Sequence, residues 1–427
     1  MFSFPRETWE IHSYCIMQNF LHNVQKSGDS HHLARCRAGN GRIENMRNRH
    51  LLAMTSVFAI ASLTAPASAQ EQGTEESSAQ NTNAGGLGDV IVVTANRREE
   101  NFLETPAVVS VLSEETLEDM RVDSLDSVTG LVPGLTLDGN HRDQNRIGLR
   151  GAFSSADTPS SGQAVGLYVD GVYYGRSASL GPVLFDIERV EVLRGPQGTL
   201  YGPNVVGGLI NIQTRDPSLY DVEGKVAATI ANYGYREFSG RISVPVVEGS
   251  LGISLSATKT DSNGWVTNLA TGNKLNQIDT FGLRGKVLWT PADAVRVEGF
   301  VEYWKDDTYG EIRHLVPIDG SPDRFDVPDD WEETLIARDA FYDRDVFTAG
   351  LSATFDISEN VTLTSITSYH ETDSLLSNGP FIAGPVEEIS ASRDNKVKTF
   401  TQEILLSGEA GRLLWQIGGY FYDDTSS

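Results

Sequence analysis

Cysteine is almost missing from this 427-residue sequence, with Cys15 and Cys36 the only two. Two thiols cannot staple a chain of this length, so a disulfide scaffold is excluded. Basic residues are scarce too, 34 Lys and Arg against 58 Asp and Glu, for a net charge of −24. Neutralising phosphates needs the opposite surplus, so nucleic acid is set aside as a partner. No apolar run long enough for a membrane helix occurs outside the N-terminal region, and the mean hydropathy is −0.25. That excludes helical membrane spans but not a transmembrane barrel, whose lipid-facing residues alternate with polar ones. Catalytic signatures are also lacking: there is no Gly-x-Ser-x-Gly, no P-loop lysine and no His-Glu-x-x-His. Residues 202–208 are glycine-rich but lack the Lys-Ser/Thr ending that cradles phosphate. His31, His32, Cys15 and Cys36 match no zinc spacing, and His141, His314 and His370 are too scattered for a metal site. No enzyme activity, metal or cofactor is expected.

What is present begins with a sorting signal. Arg47, Arg49 and His50 follow Met46, residues 51–63 are apolar, and Ala67-Ser68-Ala69 offers small residues at a cleavage position. This predicts a secretory signal peptide over 46–69, cleaved after Ala69. Residues 1–45 are polar and aperiodic, and read as a spurious upstream extension with Met46 as the initiator. Cleavage removes both cysteines and leaves an acidic, exported chain, which suits the periplasm or outer membrane of a Gram-negative cell. Residues 70–88, rich in Gln, Glu, Ser, Asn and Gly, read as a disordered tether.

From 89 to about 217 the pattern is that of a small α/β domain. The spacing predicts strands at 107–112, 146–150, 166–169, 186–193 and 209–213. Ser113 is expected to cap a short helix running to Met120, and Ser124 a second one ending near Gly130. Asp170-Gly171 is expected to make a tight turn.

Beyond 217 the period changes to two over long stretches. Phe281, Leu283, Val287 and Trp289 alternate with Thr280, Arg284 and Lys286. Val295, Val297, Val301 and Tyr303 alternate with Arg296, Glu298 and Glu302, and the pattern recurs at 347–355 and 413–421. Runs of about ten residues at this period are expected of transmembrane strands, whereas strands of soluble sandwiches average about five or six. About nine strands are expected over 218–427. Short turns at 247–250, 291–294, 357–360 and 408–412 alternate with longer loops at 262–278, 306–344 and 373–398, as when one barrel end faces the periplasm. Trp289, Trp304, Tyr369 and Tyr422 stand near strand ends, where aromatic girdles form.

On these residues the chain resembles a TonB-dependent outer-membrane receptor. Asp89, Val90, Ile91, Val92, Val93, Thr94 and Ala95 resemble a TonB box. Residues 145–151 resemble the Ile-Arg-Gly strand of the family's plug domain, and 168–172 its central hairpin. The most specific match is the run from Phe185 through Glu188, Arg189, Glu191, Gly195 and Gly198 to Gly202, with Gly207-Gly208 closing the domain. The resemblance implies a small α/β plug domain over 96–217, followed by antiparallel transmembrane β-barrel strands. It also implies that Arg150 and Arg194 sit like plug arginines that meet barrel carboxylates. Pro203, Asn204, Val205 and Val206 depart from the family's Arg-Asn and small residues, which puts local plug contacts in question. The family closes a barrel of about 22 strands, so the barrel is expected to be incomplete over this chain. The chain is read as the N-terminal part of a larger receptor or a truncated gene.

The resemblance implies TonB-driven uptake of a scarce nutrient, a ferric siderophore first, with cobalamin, haem, other metal complexes and oligosaccharides behind it. The implied partners are TonB, outer-membrane lipid and the small-molecule ligand. Tyr309, His314, Trp331 and Tyr342 are candidates for ligand contact. Asp306-Asp307 and Asp329-Asp330, read as acidic outer loops, mildly disfavour a strongly anionic ligand. Two alternatives are a non-transporting remnant of such a receptor and a passive porin-like barrel.

Overall fold

A computed structural model describes residues 92–93, 97, 100–101, 108–122, 124–138, 146–154, 162–176, 184–202, 204–310, 330–380 and 390–427. The upstream extension, signal peptide and tether lie outside the described residues, as do Asp89, Val90, Ile91, Thr94, Ala95, His141, Pro203 and His314. The described chain opens with a small hairpin, β1 (Val92–Val93) paired antiparallel with β2 (Glu100–Asn101).

The mixed domain is a five-stranded sheet. Its strands are β3 (Val108–Ser113), β6 (Val165–Val169), β7 (Val172–Tyr173), β8 (Ile187–Arg194) and β9 (Gly208–Thr214), in the order β3-β8-β9-β6-β7. A separate pair, β4 (Leu135–Asp138) with β5 (Arg146–Leu149), was not anticipated in its first strand. Helix α1 (Glu114–Asp119) starts where the Ser113 hydroxyl accepts from Thr116 N, and α2 (Leu125–Thr129) where Ser124 accepts from Ser127 N. Each cap satisfies one donor that a helix start leaves over. A further short helix, α3 (Gly198–Tyr201), follows β8. Asp170 and Gly171 both take positive φ, 47° and 78°, which is the geometry of a two-residue hairpin turn and joins β6 to β7.

The hydrophobic core lies on this sheet. Leu167, Val169, Val190, Val192, Ile210 and Ile212 are fully buried and pack with Leu149 and Val128. Each such side chain contributes roughly 1.5–3 kcal/mol on burial. Gly208 has φ 141°, and a Cβ there would stand 2.2 Å from Leu193 O, so the closing Gly-Gly is required by close backbone approach.

The second part is one antiparallel sheet of nine strands in sequence order. They are β10 (Glu223–Ile230), β11 (Arg236–Val247), β12 (Leu251–Ser262), β15 (Ile278–Ala292), β16 (Val295–Tyr309), β18 (Phe341–Ser358), β19 (Val361–Pro380), β20 (Ser390–Ala410) and β21 (Leu413–Ser426). A side sheet of β13 (Val266–Asn268), β14 (Lys274–Leu275) and β17 (Glu333–Thr334) sits in the long connections. The polarity is inverted relative to a soluble sheet. On β15, Thr280, Arg284 and Lys286 are buried, while Leu283 and Trp289 of the opposite parity are exposed. Ser254, Ser256, Glu302, Thr348, Ser368, His370 and Thr401 are buried likewise, against exposed Ile253, Leu255, Phe400 and Ile404. An apolar outer face around a polar interior is what lipid selects. Among the described residues no helix is long and apolar enough to cross a membrane, which says nothing of strands.

Two expected loops are shorter than anticipated. Most of 373–398 belongs to β19 and β20, of 20 and 21 residues, and 306–344 is cut at both ends by β16 and β18. Their charged residues read as loop, yet they pair across strands. Lys396 Nζ stands 3.2 Å from Glu371 and 3.0 Å from Asp373, and Lys398 Nζ 3.5 Å from Glu371. About nine to eleven residues cross a bilayer, so these strands run well past its thickness. Asp306 is therefore not an outer-loop carboxylate: it is 2% exposed, inside β16, and bonded by Thr308.

Candidate functional site

The mixed domain is fastened to the polar face of the nine-stranded sheet, and the fastening is where charge concentrates. On β15 the two-residue period places Arg284 and Lys286 on the same buried face. Arg284 is paired with Glu302 of β16, donates to Phe185 O at 2.7 Å and stacks 4.3 Å above the Phe185 ring. Lys286 reaches Asp216 at 2.7 Å and Asp170 at 3.6 Å. The Asp170 carboxylate also accepts from Thr214 N at 2.8 Å, so one cation ties the hairpin turn to the end of β9. Arg241 of β11 stands 3.2 Å from Asp186, which also accepts from Ser256. Burial alone would raise the Asp216 carboxyl, but Lys286 and Arg296 overcome it and hold it below the ordinary aspartate range.

The opposite side of the domain is held by arginines of its own. Arg176 pairs with Asp424 of β21. Arg97, four residues beyond Val93, pairs with Glu403 of β20 at 2.9 Å, and both side chains are largely buried, 9% and 12% exposed. Its guanidinium lies 4.3 Å from the Tyr201 ring centre and 5.4 Å from that of Tyr168, within cation–π range. Tyr168 donates to Tyr201 O at 2.5 Å, and its ring meets those of Tyr201 and Tyr173 edge-on or tilted. Burial pushes the Tyr201 hydroxyl up to about 12 and raises that of Tyr173, so both stay protonated.

Between these two flanks the tip of the domain meets the sheet through neutral groups. Tyr174 donates to Thr348 at 3.2 Å, Thr348 meets His370 Nδ1 at 2.9 Å, and His370 Nε2 meets Thr372 at 3.0 Å. Gly350 lets the hairpin approach, because a Cβ there would stand 2.5 Å from the Phe300 ring and 2.8 Å from Val172.

The residues singled out from sequence fall in different places. Val92 and Val93 are the described part of the coupling-segment motif and form β1. Glu191 is fully buried on β8 and accepts from Arg189 Nε at 2.8 Å and Asn211 Nδ2 at 3.3 Å, while Glu188 bonds Arg189 Nη1 at 2.7 Å. Gly195 and Gly202 take φ 95° and 87°, at the turns before and after α3, and Gly198 opens that helix. Arg194 donates to Ser110 of β3 at 2.6 Å, and Arg150 stands exposed at a left-handed turn, its N–H bonded to Gly134 O. Among the described residues the structure brings neither arginine to a carboxylate of the nine-stranded sheet. Asn204, in the segment that departs from the family pattern, donates to Tyr173 Oη at 2.7 Å, and Val205 is buried beside it. Tyr342 is buried on β18 and Trp331 is exposed.

Sequence reading missed Arg97, Arg176, Asp170, Asp186 and Asp216 as fastening residues. The signal for the partner of Asp170 and Asp216 was present, since Lys286 occupies the polar parity of β15. Among the described residues no three metal-ligating side chains cluster together.

Comparison with known proteins gives this arrangement a context. The family model described as TonB-dependent Receptor Plug Domain matches residues 101–209. The pesticin receptor of Yersinia pestis is 34% identical over 185 residues, covering 43% of this chain and 27% of that protein. The hemin receptor of Yersinia enterocolitica is 30% identical over 221 residues, covering 49% and 29%. Among solved structures, the ferric yersiniabactin uptake receptor of Yersinia pestis superposes with a TM-score of 0.63 at 23% identity, over 75% of this chain and 49% of that one. The match thus spans under a third of those two relatives and about half of the solved receptor.

Proposed function

We propose that the chain is a member of the TonB-dependent outer-membrane receptors, on the plug-domain match over residues 101–209 and the similarity to the pesticin receptor, and that it serves energy-coupled uptake of a scarce solute across the outer membrane, a ferric siderophore first. The observation that carries the reading is Arg97. It stands just behind the coupling segment and ties that segment at once to the plug, through Tyr168 and Tyr201, and to the barrel, through Glu403. Force entering at residues 89–95 meets this contact before it meets the plug core.

The mechanism follows from the physics of the fastening. The outer membrane has no ATP, and a plugged lumen blocks diffusion, so work must come from outside. TonB, driven by the inner-membrane proton gradient, would take residues 89–95 as an added strand on its own sheet edge. Val92 and Val93 already pair with Glu100 and Asn101, so that capture competes with a two-residue ladder, a weak contact that opens at low cost. Pulling then strips Arg97 from Glu403 and loads α3 and β6. The cations of β15 and β11 keep the far side of the plug seated through Asp170, Asp186 and Asp216.

Uptake of a radio-iron-labelled siderophore by cells making the receptor tests the reading. A proton-gradient uncoupler and removal of TonB should each stop uptake while surface binding continues. Uptake that persists through both treatments would leave a passive pore as the better description.

A further inference from the structure

One inward-facing row crosses five strands at the level of the plug tip. Register sets Glu302 of β16, Thr348 of β18, His370 of β19, Thr399 of β20 and Asp424 of β21 side by side. Both carboxylates of the row are already balanced, Glu302 by Arg284 and Asp424 by Arg176 of the plug. Thr399 also donates to Asp424, at 2.7 Å. His370 lies between them, 2% exposed, and bonds neither carboxylate. The other charged groups around it are engaged as well. Arg344, two rows beyond Thr348 on β18, pairs with Asp306, and Asp170 of the plug turn pairs with Lys286. Glu371, next to His370 on the opposite face of β19, pairs with Lys396 and Lys398.

His370 thus meets hydroxyls, and their protons have one consistent order. Tyr174, fully buried, donates to Thr348 at 3.2 Å, and its ring meets the imidazole edge-on at 4.8 Å. A threonine hydroxyl has one proton. With its oxygen accepting from Tyr174, Thr348 gives that proton to His370 Nδ1, 2.9 Å away. Nδ1 is then the acceptor, so Nε2 carries the ring proton and donates to Thr372 at 3.0 Å. The chain closes only around a neutral ring. A second ring proton makes Nδ1 a donor, and the Thr348 and Tyr174 protons then compete for one acceptor fewer, in two residues with no exposure.

We propose that His370 makes the seating of the plug tip acid-sensitive: the neutral imidazole holds Tyr174 through Thr348, and its protonation turns Nδ1 from acceptor to donor and releases the tip. The device acts between the two ion-paired flanks and needs no pull at residues 89–95, so it stands apart from the coupled-uptake reading.

The test reads the seam itself. Val172 is 1% exposed and faces Gly350 of β18, and the chain beyond residue 69 has no cysteine, so Val172→Cys reports on seating. Receptor in isolated outer membranes is labelled with a pyridyl disulfide from about pH 7.5 to about pH 3.5, a span that starts above the ordinary histidine value near 6.5. Rates are divided by those of Leu269→Cys, an exposed site, at the same pH, which removes the pH dependence of the reagent. Normalised labelling should rise about tenfold in acid, the order expected when one buried donor loses its acceptor. His370→Gln, whose amide accepts and donates but does not titrate, should label slowly at neutral pH and lack the tenfold step. Carboxylates that titrate in the same range, Asp216 among them, act in both proteins, so the difference between the two profiles belongs to His370. Thr348→Val breaks the chain at every pH and should label fast throughout, which keeps the test decisive if His370→Gln folds poorly. A flat wild-type profile, an equal rise in His370→Gln, or a wild-type profile in Thr348→Val overturns the proposal.

Discussion

Replacing Arg97 with alanine should release the coupling segment before any energy is applied. Arg97 and Glu403 are 2.9 Å apart with side chains 9% and 12% exposed, so the pair is mostly out of water. Breaking a buried pair from one side costs about 3–5 kcal/mol, because the remaining carboxylate stays buried without its partner. The stacking on Tyr201 adds about 1 kcal/mol, and water reaching Glu403 will return part of the loss. A net loss of about 3 kcal/mol moves the docked–undocked equilibrium by about two powers of ten. The chain beyond residue 69 has no native cysteine, so an Ala95→Cys substitution can be labelled by a membrane-impermeant thiol reagent in isolated outer membranes. Labelling should speed up by about two orders of magnitude with Arg97→Ala and by less with Arg97→Lys. Glu403→Gln combined with Arg97→Ala should not add a further increase, since both remove one contact. An unchanged labelling rate in Arg97→Ala would refute the view that this residue anchors the segment.

The inverted polarity of the strands predicts that Leu283→Arg, on the outward face of β15, costs about 2–4 kcal/mol in refolding into lipid vesicles. Glu or Lys at exposed Leu269, in the long connection after β12, should cost almost nothing in the same assay. Gly350→Val should crowd Phe300 and Val172 at about 1–3 kcal/mol, read as faster proteolysis of the plug with the strands left intact. The pH dependence follows from Asp216, whose folded-state pKa is depressed. Its contribution is fully present above the ordinary aspartate value near 4 and is lost only as pH falls through the lower folded value. The Asp216 share of plug seating, read by protease protection, should therefore hold from neutral pH down to about 5 and be lost only in stronger acid, and Asp216→Asn should make the acid loss of protection smaller than in the wild type.

The strands were the most legible part of the sequence because their cause is local. A residue two positions away shares a face, so Arg284 and Lys286 could be read as inward-pointing from β15 alone. Caps at Ser113 and Ser124 and the Asp170-Gly171 turn were legible for the same reason, since each acts within about four residues. The extent of β19 and β20 was not legible. Lys396 looks like a loop residue until Glu371 and Asp373 are seen opposite it, and only the fold supplies that opposition. The fastening of the plug was hidden more deeply. Family resemblance pointed to Arg150 and Arg194 meeting barrel carboxylates, whereas plug carboxylates at 170, 186 and 216 meet barrel cations, and Arg97 and Arg176 supply the opposite polarity on the far flank. No periodicity links Arg97 to Glu403, more than 300 residues on, so this pair exists only at the level of tertiary structure.

The central claim is that force delivered at the coupling segment, and not diffusion, moves the solute. Deleting residues 89–95 while keeping Arg97 and the plug intact tests it most directly, with solute binding at the cell surface and accumulation inside measured on the same cells. The account predicts wild-type surface binding with accumulation reduced to the level of cells lacking the receptor. Accumulation that continues at the wild-type rate would contradict it.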